Sequence, residues 1–304
     1  MRIIVHGQQA FGKAVCEALL ERGEDVFAVY CAPEKEGARI DPLKEFAQEK
    51  GIPVYQPKSF RKPEVWEEFA ALKPDLCVMA YVTLFIPEEV LNTPTHGTIQ
   101  YHPSLLPLHR GPSSINWPII WGEAKTGLTI FWPDNGLDTG PILLQKEVEV
   151  KPDDTLGSIY FDSLFPMGVA AMLEGVDMVK AGNAPKVVQD ESKATYEGWC
   201  KKEQAEIDWN KPMDEVYNLI RGCNPQPAAW TTHGGETLQI FESTKAEGSG
   251  TPGEVLAITG DSVTIATQGG AIAVQRVRPA GAGKVTAPEW ASGAGIQPGA
   301  KLGG

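Results

Sequence analysis

Along the first half of the chain, short apolar runs alternate with stretches whose apolar residues recur every three or four positions. RIIVHG (2–7) is a continuous apolar run that ends at Gly7. Over 12–22, Val15, Ala18, Leu19 and Leu20 fall at helical spacing, and Gly23 stops the pattern. DVFAVYC (25–31), IPVYQ (52–56) and DLCVMAYV (75–82) read as strands, with helices over 42–50 and 63–72 between them. This β-α-β-α-β-α-β order predicts a mostly parallel sheet with helices on both faces. GTIQYH (97–102) and GLTIFWP (127–133) add strands. ILLQKEVEV (142–150) alternates as a half-exposed strand does, and a long helix is expected over about 155–181.

The pattern then changes. The run 182–198, GNAPKVVQDESKATYEG, is polar and punctuated, as a linker would be. MDEVYNLIRG (213–222) reads as a helix stopped at Gly222. After it TLQIFES, GEVLAIT, DSVTIAT and AIAVQRVRP stand between glycine turns, the signature of a small β-barrel. The tail ASGAGIQPGAKLGG (291–304) has little to bury and is expected to fray.

Composition narrows the function classes. With 42% hydrophobic and 22% charged residues, the 304-residue chain has the make-up of a folded globular protein, not a disordered one. No uninterrupted apolar run reaches the roughly 18 residues that span a bilayer, so no membrane partner is expected. The opening MRIIVHGQQAFG lacks a secretory signal's long apolar core, which makes a cytoplasmic location the expectation. A net charge of −12 argues against a general nucleic-acid binder. The five cysteines are odd in number and none stands at C-x-x-C spacing, so they read as scattered small core residues in a reducing compartment. No histidine or carboxylate spacing suggests a metal.

Three segments carry candidate chemistry. Gly7-Gln8-Gln9-Ala10-Phe11-Gly12-Lys13-Ala14 nearly matches a phosphate-binding loop, but Ala14 stands where a magnesium-binding hydroxyl is required. It reads instead as a strand-to-helix turn whose amides face a ligand cleft. His102 ends a strand and opens the proline-rich loop His102-Pro103-Ser104-Leu105-Leu106-Pro107-Leu108-His109-Arg110-Gly111-Pro112. In open α/β sheets ligands bind beyond the carboxyl ends of strands, although a single histidine is more often structural than catalytic. Asp134-Asn135-Gly136-Leu137-Asp138-Thr139-Gly140 follows another strand. Its aspartates could serve as turn residues, or Asp138 could meet His102 over the sheet edge as an acid–base pair.

The run HPSLLPLHRGPSSINW (102–117) with GLDTG (136–140) resembles the 10-formyltetrahydrofolate-using formyltransferase family, which includes the glycinamide ribonucleotide and methionyl-tRNA formyltransferases. The similarity runs furthest with the hydrolase domain of 10-formyltetrahydrofolate dehydrogenase, through HGQQAFG, FIPEEV (85–90) and ATYEGWCKKEQAEIDW (194–209). It implies a Rossmann-like formyltransferase domain over 1–182, a linker over 183–202 and a C-terminal OB-like β-barrel domain over 203–304. It also implies 10-formyltetrahydrofolate as formyl donor and tetrahydrofolate as product. By the same resemblance the pteridine sits against Met79, Ala80, Tyr81, Leu84 and Phe85 and the loop Asp134, Asn135, Gly136. Gln8, Gln9, Ala10 and Phe11 then face the formyl acceptor. Arg110 either binds an acceptor anion or braces its loop.

His102, Asp138 and Gln100 are the expected catalytic residues. The transferases carry Asn-x-His, whereas this chain has Gln100-Tyr101-His102, an amide one methylene longer. His102 and Gln100 would donate to the oxyanion that forms when a nucleophile attacks a formyl carbon, and Asp138 would orient His102 and take the nucleophile's proton. The expected acceptor is a small molecule or water. Residues 32–39 hold two acids against two bases, and residues 203–304 hold seven basic against eleven acidic residues, a poor grip for tRNA phosphates. Methionyl-tRNA formylation and folate binding without turnover are the alternatives. Because the sequence ends after the β-rich region, no dehydrogenase domain is expected to act in cis.

Overall fold

The computed structural model describes residues 1–303, which divide into two compact units. The first comprises residues 1–111, 127–148 and 163–196. Its elements follow the sequence pattern: β1 (Arg2–Gly7), α1 (Gln9–Glu21), β2 (Asp25–Tyr30), α2 (Pro42–Glu49), β3 (Val54–Tyr55), α3 (Pro63–Ala71), β4 (Leu76–Ala80), α4 (Glu88–Leu91) and β5 (Thr98–His102). After α5 (Asn116–Ile120) come β6 (Lys125–Phe131) and β7 (Ile142–Glu149). The strands form one sheet in the order β3-β2-β1-β4-β5-β6-β7. β1 to β5 pair in parallel, but β6 runs antiparallel to β5, with Gln100 opposite Phe131 and His102 opposite Thr129.

This reversal matters for the site. β6 ends beside Gln100, so residues 132–140 must fold back before they can reach the carboxyl ends of the parallel strands. The Trp132 amide donates to the Pro141 carbonyl at 2.9 Å and closes that loop. Gly140 permits it, because a Cβ there would lie 1.7 Å from the Trp132 carbonyl oxygen.

α1 begins three residues earlier than the periodicity suggests, immediately after the close approach of Gly7 to β4. A Cβ on Gly7 would stand 2.2 Å from the Ala80 carbonyl oxygen. The long helix is α6 (Leu156–Ser158), a π-helical stretch (Ile159–Leu164) and α7 (Phe165–Lys180). By length and composition, with mean hydropathy 1.3, Leu156–Lys180 could cross a membrane. In this fold Gly168, Ala171, Met172, Val176 and Val179 are buried. A Cβ on Gly168 would meet the rings of Tyr101 and Phe11 at 2.7 and 3.0 Å. The run that reads as a linker contributes 183–196 to this unit: Val187 pairs with Ile142 through two backbone hydrogen bonds, and Gln189 is buried.

Among the described residues the second unit comprises 112–126, 149–162 and 197–303. It contains α5, α8 (Met213–Gly222), β8 (Ala229–His233), β9 (Glu236–Ala246), β10 (Val255–Ile258), β11 (Val263–Thr267), β12 (Gly270–Pro279), β13 (Val285–Thr286) and α9 (Ala287–Gly293). Its sheet is antiparallel in the order β10-β11-β12-β9-β8, with β13 on β12. β8 was not evident in the sequence, because AWTTH is short and follows a proline-rich run. It pairs with β9 across Gly234-Gly235, both at positive φ as a tight two-residue hairpin requires. The tail does not fray. Ala291, Ile296 and Leu302 are at most 3% exposed, and the Leu302 amide donates to the Gly253 carbonyl at 2.9 Å. These apolar residues, spaced among glycines, complete a core with Trp209, Val255 and Ile265.

Candidate active site

The carboxyl ends of β1, β4 and β5 present His6, Ala80 and His102. Gln100 and His102, two residues apart on β5, share one face of the strand. His102 is 6% exposed and Asp138 8%. Their closest approach is 3.6 Å between Nδ1 and Oδ2, an ion-pair distance too long for a hydrogen bond. The other ring nitrogen, Nε2, donates to the His109 carbonyl at 2.9 Å. A carbonyl only accepts, so the hydrogen on Nε2 is fixed and proton exchange is confined to Nδ1, the nitrogen facing Asp138.

Asp138 is itself held from three directions. Its backbone sits at φ 58°, in the left-handed region. The Gly111 amide donates to its Oδ2 at 2.8 Å. The buried Gln189 side chain donates to the Asp138 and Gly140 carbonyls at 2.8 and 2.7 Å. The Gln189 oxygen in turn accepts from Arg110 Nη2 and Nε at 2.8 and 3.2 Å. Arg110 also binds Glu191 through Nη1 and Nη2 at 2.9 and 2.6 Å, and those bonds hold the Glu191 carboxyl below its usual range. The guanidinium is thus committed within the protein, and of the two readings open in the sequence the hydrogen bonds support the brace.

Thr195 completes the frame. Its hydroxyl accepts from the His109 amide at 2.8 Å, its carbonyl accepts from the Arg110 amide, and its own amide donates to Pro107. Gln189, Thr195, Gly111 and the His109 carbonyl were missed in the sequence. They lie in polar or proline-rich runs and act largely through backbone atoms, which leave no residue-type signal.

The Gln100 side chain is half-buried and makes no hydrogen bond among the described residues, which leaves its amide available to a ligand. Met79 and Ala80, expected against a pteridine, are buried sheet residues at 3% and 0% exposure. Beyond them Tyr81 and Phe85 are exposed, Tyr81 with φ 65°, and Leu84 is half-buried. The Asn135 amide donates to Glu88 at 2.8 Å and sets the 134–138 loop beside this segment. Asp134 shapes that loop, accepting from the Gly136 amide at 3.0 Å and the Thr139 hydroxyl at 2.6 Å. The exposed Leu137 stands at its tip.

The turn after β1 is more occupied than the sequence suggests. Gln8 donates to the Thr83 hydroxyl at 3.3 Å, and Gln9 and Ala10 are exposed. Phe11 does not face a cleft. It is 2% exposed and packs on Tyr101 and Phe165. The Gln9 amide, the donor at the start of α1, is bound by both oxygens of Asp41 at 3.0 and 2.9 Å. Asp41 also caps α2 through the Leu43 amide at 2.9 Å. Nearby Glu34 accepts from Lys44 and Gln56. Burial alone would raise its carboxyl, but these bonds outweigh it and hold the group at about 2. No group of three His, Cys, Asp or Glu side chains suited to a metal occurs among the described residues.

Formyl transferase matches residues 1–172, and its C-terminal domain matches residues 200–295. The cytosolic 10-formyltetrahydrofolate dehydrogenase of Mus musculus is 46% identical over 266 residues, covering 86% of this chain and 29% of that protein. The chain therefore spans less than a third of the length of such relatives. Methionyl-tRNA formyltransferase of Geobacter metallireducens is 35% identical over 100% of this chain and 99% of its own. Among solved structures, HypX from Aquifex aeolicus in complex with tetrahydrofolic acid shares the fold with a TM-score of 0.70 at 22% identity, over 96% of this chain and 47% of that one. WlaRD, a sugar 3N-formyl transferase, does so with a TM-score of 0.69 at 18% identity, over 92% and 98%. The chain belongs to the formyl transferase family.

Proposed function

We propose that the protein is an enzyme that takes the formyl group of 10-formyltetrahydrofolate and delivers it to water or a small amine, releasing tetrahydrofolate. The observation that carries this reading is the buried His102–Asp138 pair, fixed on both sides by protein hydrogen bonds, on the strand face it shares with the Gln100 amide, which has no partner among the described residues. The exposed Tyr81 and Phe85, beside the 134–138 loop, offer apolar surface for a pteridine. When bound, the folate supplies the formyl carbon and its oxygen.

The residues divide the work as follows. Gly111 anchors Oδ2 of Asp138, and Oδ1 has no partner among the described residues, so it can take the proton of the incoming water or amine. His102 keeps its Nε2 hydrogen on His109, and as the imidazolium it offers Nδ1–H, not locked on Asp138 at 3.6 Å, to the developing oxyanion. Gln100 is the second donor. Each such donor is worth about 10²–10³ in rate.

The nature of the acceptor follows from charge. The amide at the start of α1 is already bound by the Asp41 carboxylate, with ionised Glu34 close by, so that helix end offers nothing to a phosphorylated acceptor. This supports water or an uncharged or cationic small acceptor. The full-length likeness to a methionyl-tRNA formyltransferase favours a second reading, charged initiator tRNA as acceptor. Product analysis separates them. 10-Formyltetrahydrofolate alone should yield formate and tetrahydrofolate if water is the acceptor, and a formylated product if a candidate amine is. Formylation of charged initiator tRNA well above the formate rate would establish the second reading.

A further inference from the structure

In the second unit, Cys200 and Cys223 bring their sulfurs to 3.8 Å. All five cysteines are buried and free, as expected of small core residues, but these two are neighbours in space. Cys16, Cys31 and Cys77 are buried in the first unit, and no sulfur–sulfur contact is made by them among the described residues. Cys223 closes α8, its amide bonded to the Leu219 carbonyl, and is fully buried. Cys200 lies on the chain entering the same core. Its amide donates to the Ser113 hydroxyl at 3.1 Å, and it remains 8% exposed.

We propose that Cys200 and Cys223 form a dithiol modification site that a peroxide oxidises to an intrachain disulfide, Cys200 reacting first and Cys223 resolving. A disulfide needs sulfurs about 2.05 Å apart, so a movement of under about 2 Å converts the contact into a bond. The roles follow from access and hydrogen bonding. Cys200 is the more exposed residue of the two, and its hydrogen bond with Cys223 favours its thiolate and lowers its pKa. Burial instead pushes the Cys16, Cys31 and Cys77 thiols up to about 12, which leaves them inert.

The chemistry balances. The Cys200 thiolate attacks one peroxide oxygen, the O–O bond breaks, and the departing oxygen leaves as water once protonated, giving a sulfenic acid on Cys200. The Cys223 sulfur then attacks the Cys200 sulfur. The S–S bond forms, the S–O bond breaks, and the hydroxyl leaves as a second water with the Cys223 proton. The two thiols lose two electrons and hydrogen peroxide gains them.

The test uses the full chain. After stoichiometric hydrogen peroxide, thiols are counted under denaturing conditions and peptides mapped by mass spectrometry. Three of the five thiols should remain, with one cross-link joining Cys200 to Cys223 and both thiols recovered with a dithiol reductant. Cys223→Ser should trap a dimedone-reactive sulfenic acid on Cys200, and Cys200→Ser should keep its four thiols. Persistence of all five wild-type thiols, or a cross-link that involves Cys16, Cys31 or Cys77, would overturn the proposal.

Discussion

Gln189 places its side-chain amide 2.8 Å from the Asp138 carbonyl, while its oxygen accepts two N–H groups of Arg110. One buried side chain thus ties the loop that carries Asp138 to the loop that follows His102. Gln189 touches no reacting atom in the proposed chemistry, so it is a positioning residue. Gln189→Leu leaves the two carbonyls and the guanidinium without this bridge. A displacement of the order of 1 Å costs about 10²-fold in rate. Turnover should fall by about that factor while folate affinity changes little. In an Asp138→Asn background the further loss should vanish, because the bridge then positions a group that no longer acts. An equal loss in both backgrounds would mean that Gln189 only stabilises the fold.

Asp138→Asn keeps the size of the side chain and removes its capacity to take a proton. Turnover should fall about 10³-fold or more, since this carboxylate and His102 act as a unit. Folate binding, measured by equilibrium titration, should be largely retained. Retention of more than about a tenth of wild-type turnover would make Asp138 a turn residue at its positive φ, the alternative that its glycine-rich surroundings always allowed.

The parallel half of the sheet was legible because strands buried on both faces read as unbroken apolar runs, as in RIIVHG and LCVMA. His102 and Asp138 were legible because residue type and motif mark them. The direction of β6 was not, since an apolar run carries no sign of polarity, and it is this reversal that makes the 132–140 loop fold back. Gln189 was invisible because its partners are mostly backbone carbonyls. Ile296 and Leu302 were hidden by the glycines around them, and Phe11, in a turn expected to face ligand, is held in the core by its own ring contacts.

Gln100 tests the oxyanion model separately. Its amide makes no hydrogen bond among the described residues, and it shares a strand face with His102. Gln100→Leu should slow the chemical step about 10²-fold, the usual cost of one oxyanion donor. Folate affinity should hold, because the bond strengthens only in the transition state. A nearly silent substitution would leave the reaction to His102 and Asp138 alone.

His6 contributes to the acid sensitivity of the first unit. It is 3% exposed and packed against Tyr30 and Phe60, and burial lowers its pKa from 6.5 to about 3. The folded protein therefore resists a proton that the unfolded chain accepts. The contribution is complete above pH 6.5 and is lost as pH falls toward 3, with a slope of at most about 1.4 kcal/mol per pH unit. His6→Phe removes this dependence. Denaturant unfolding at pH 7 and pH 5 should show a smaller acid loss in the variant than in the wild type. Equal losses would show that His6 titrates normally in the folded state.

Asp41 places both carboxylate oxygens on the Gln9 amide and one on the Leu43 amide, so one side chain serves the starts of two helices. Asp41→Ser keeps an oxygen for the Leu43 amide, where serine is also a good N-cap, but is too short to hold the Gln9 amide as well. It should cost about 1–3 kcal/mol for the donor left unpaired. Asp41→Ala should lose about 1 kcal/mol more with the second cap. Removing the carboxylate also frees the start of α1, where an external anion can then bind. Inorganic phosphate should therefore raise the Tm of Asp41→Ser and leave that of the wild type unchanged. An equal rise in the wild type would show that Asp41 does not close this helix end, and the argument against a phosphorylated acceptor would fall with it.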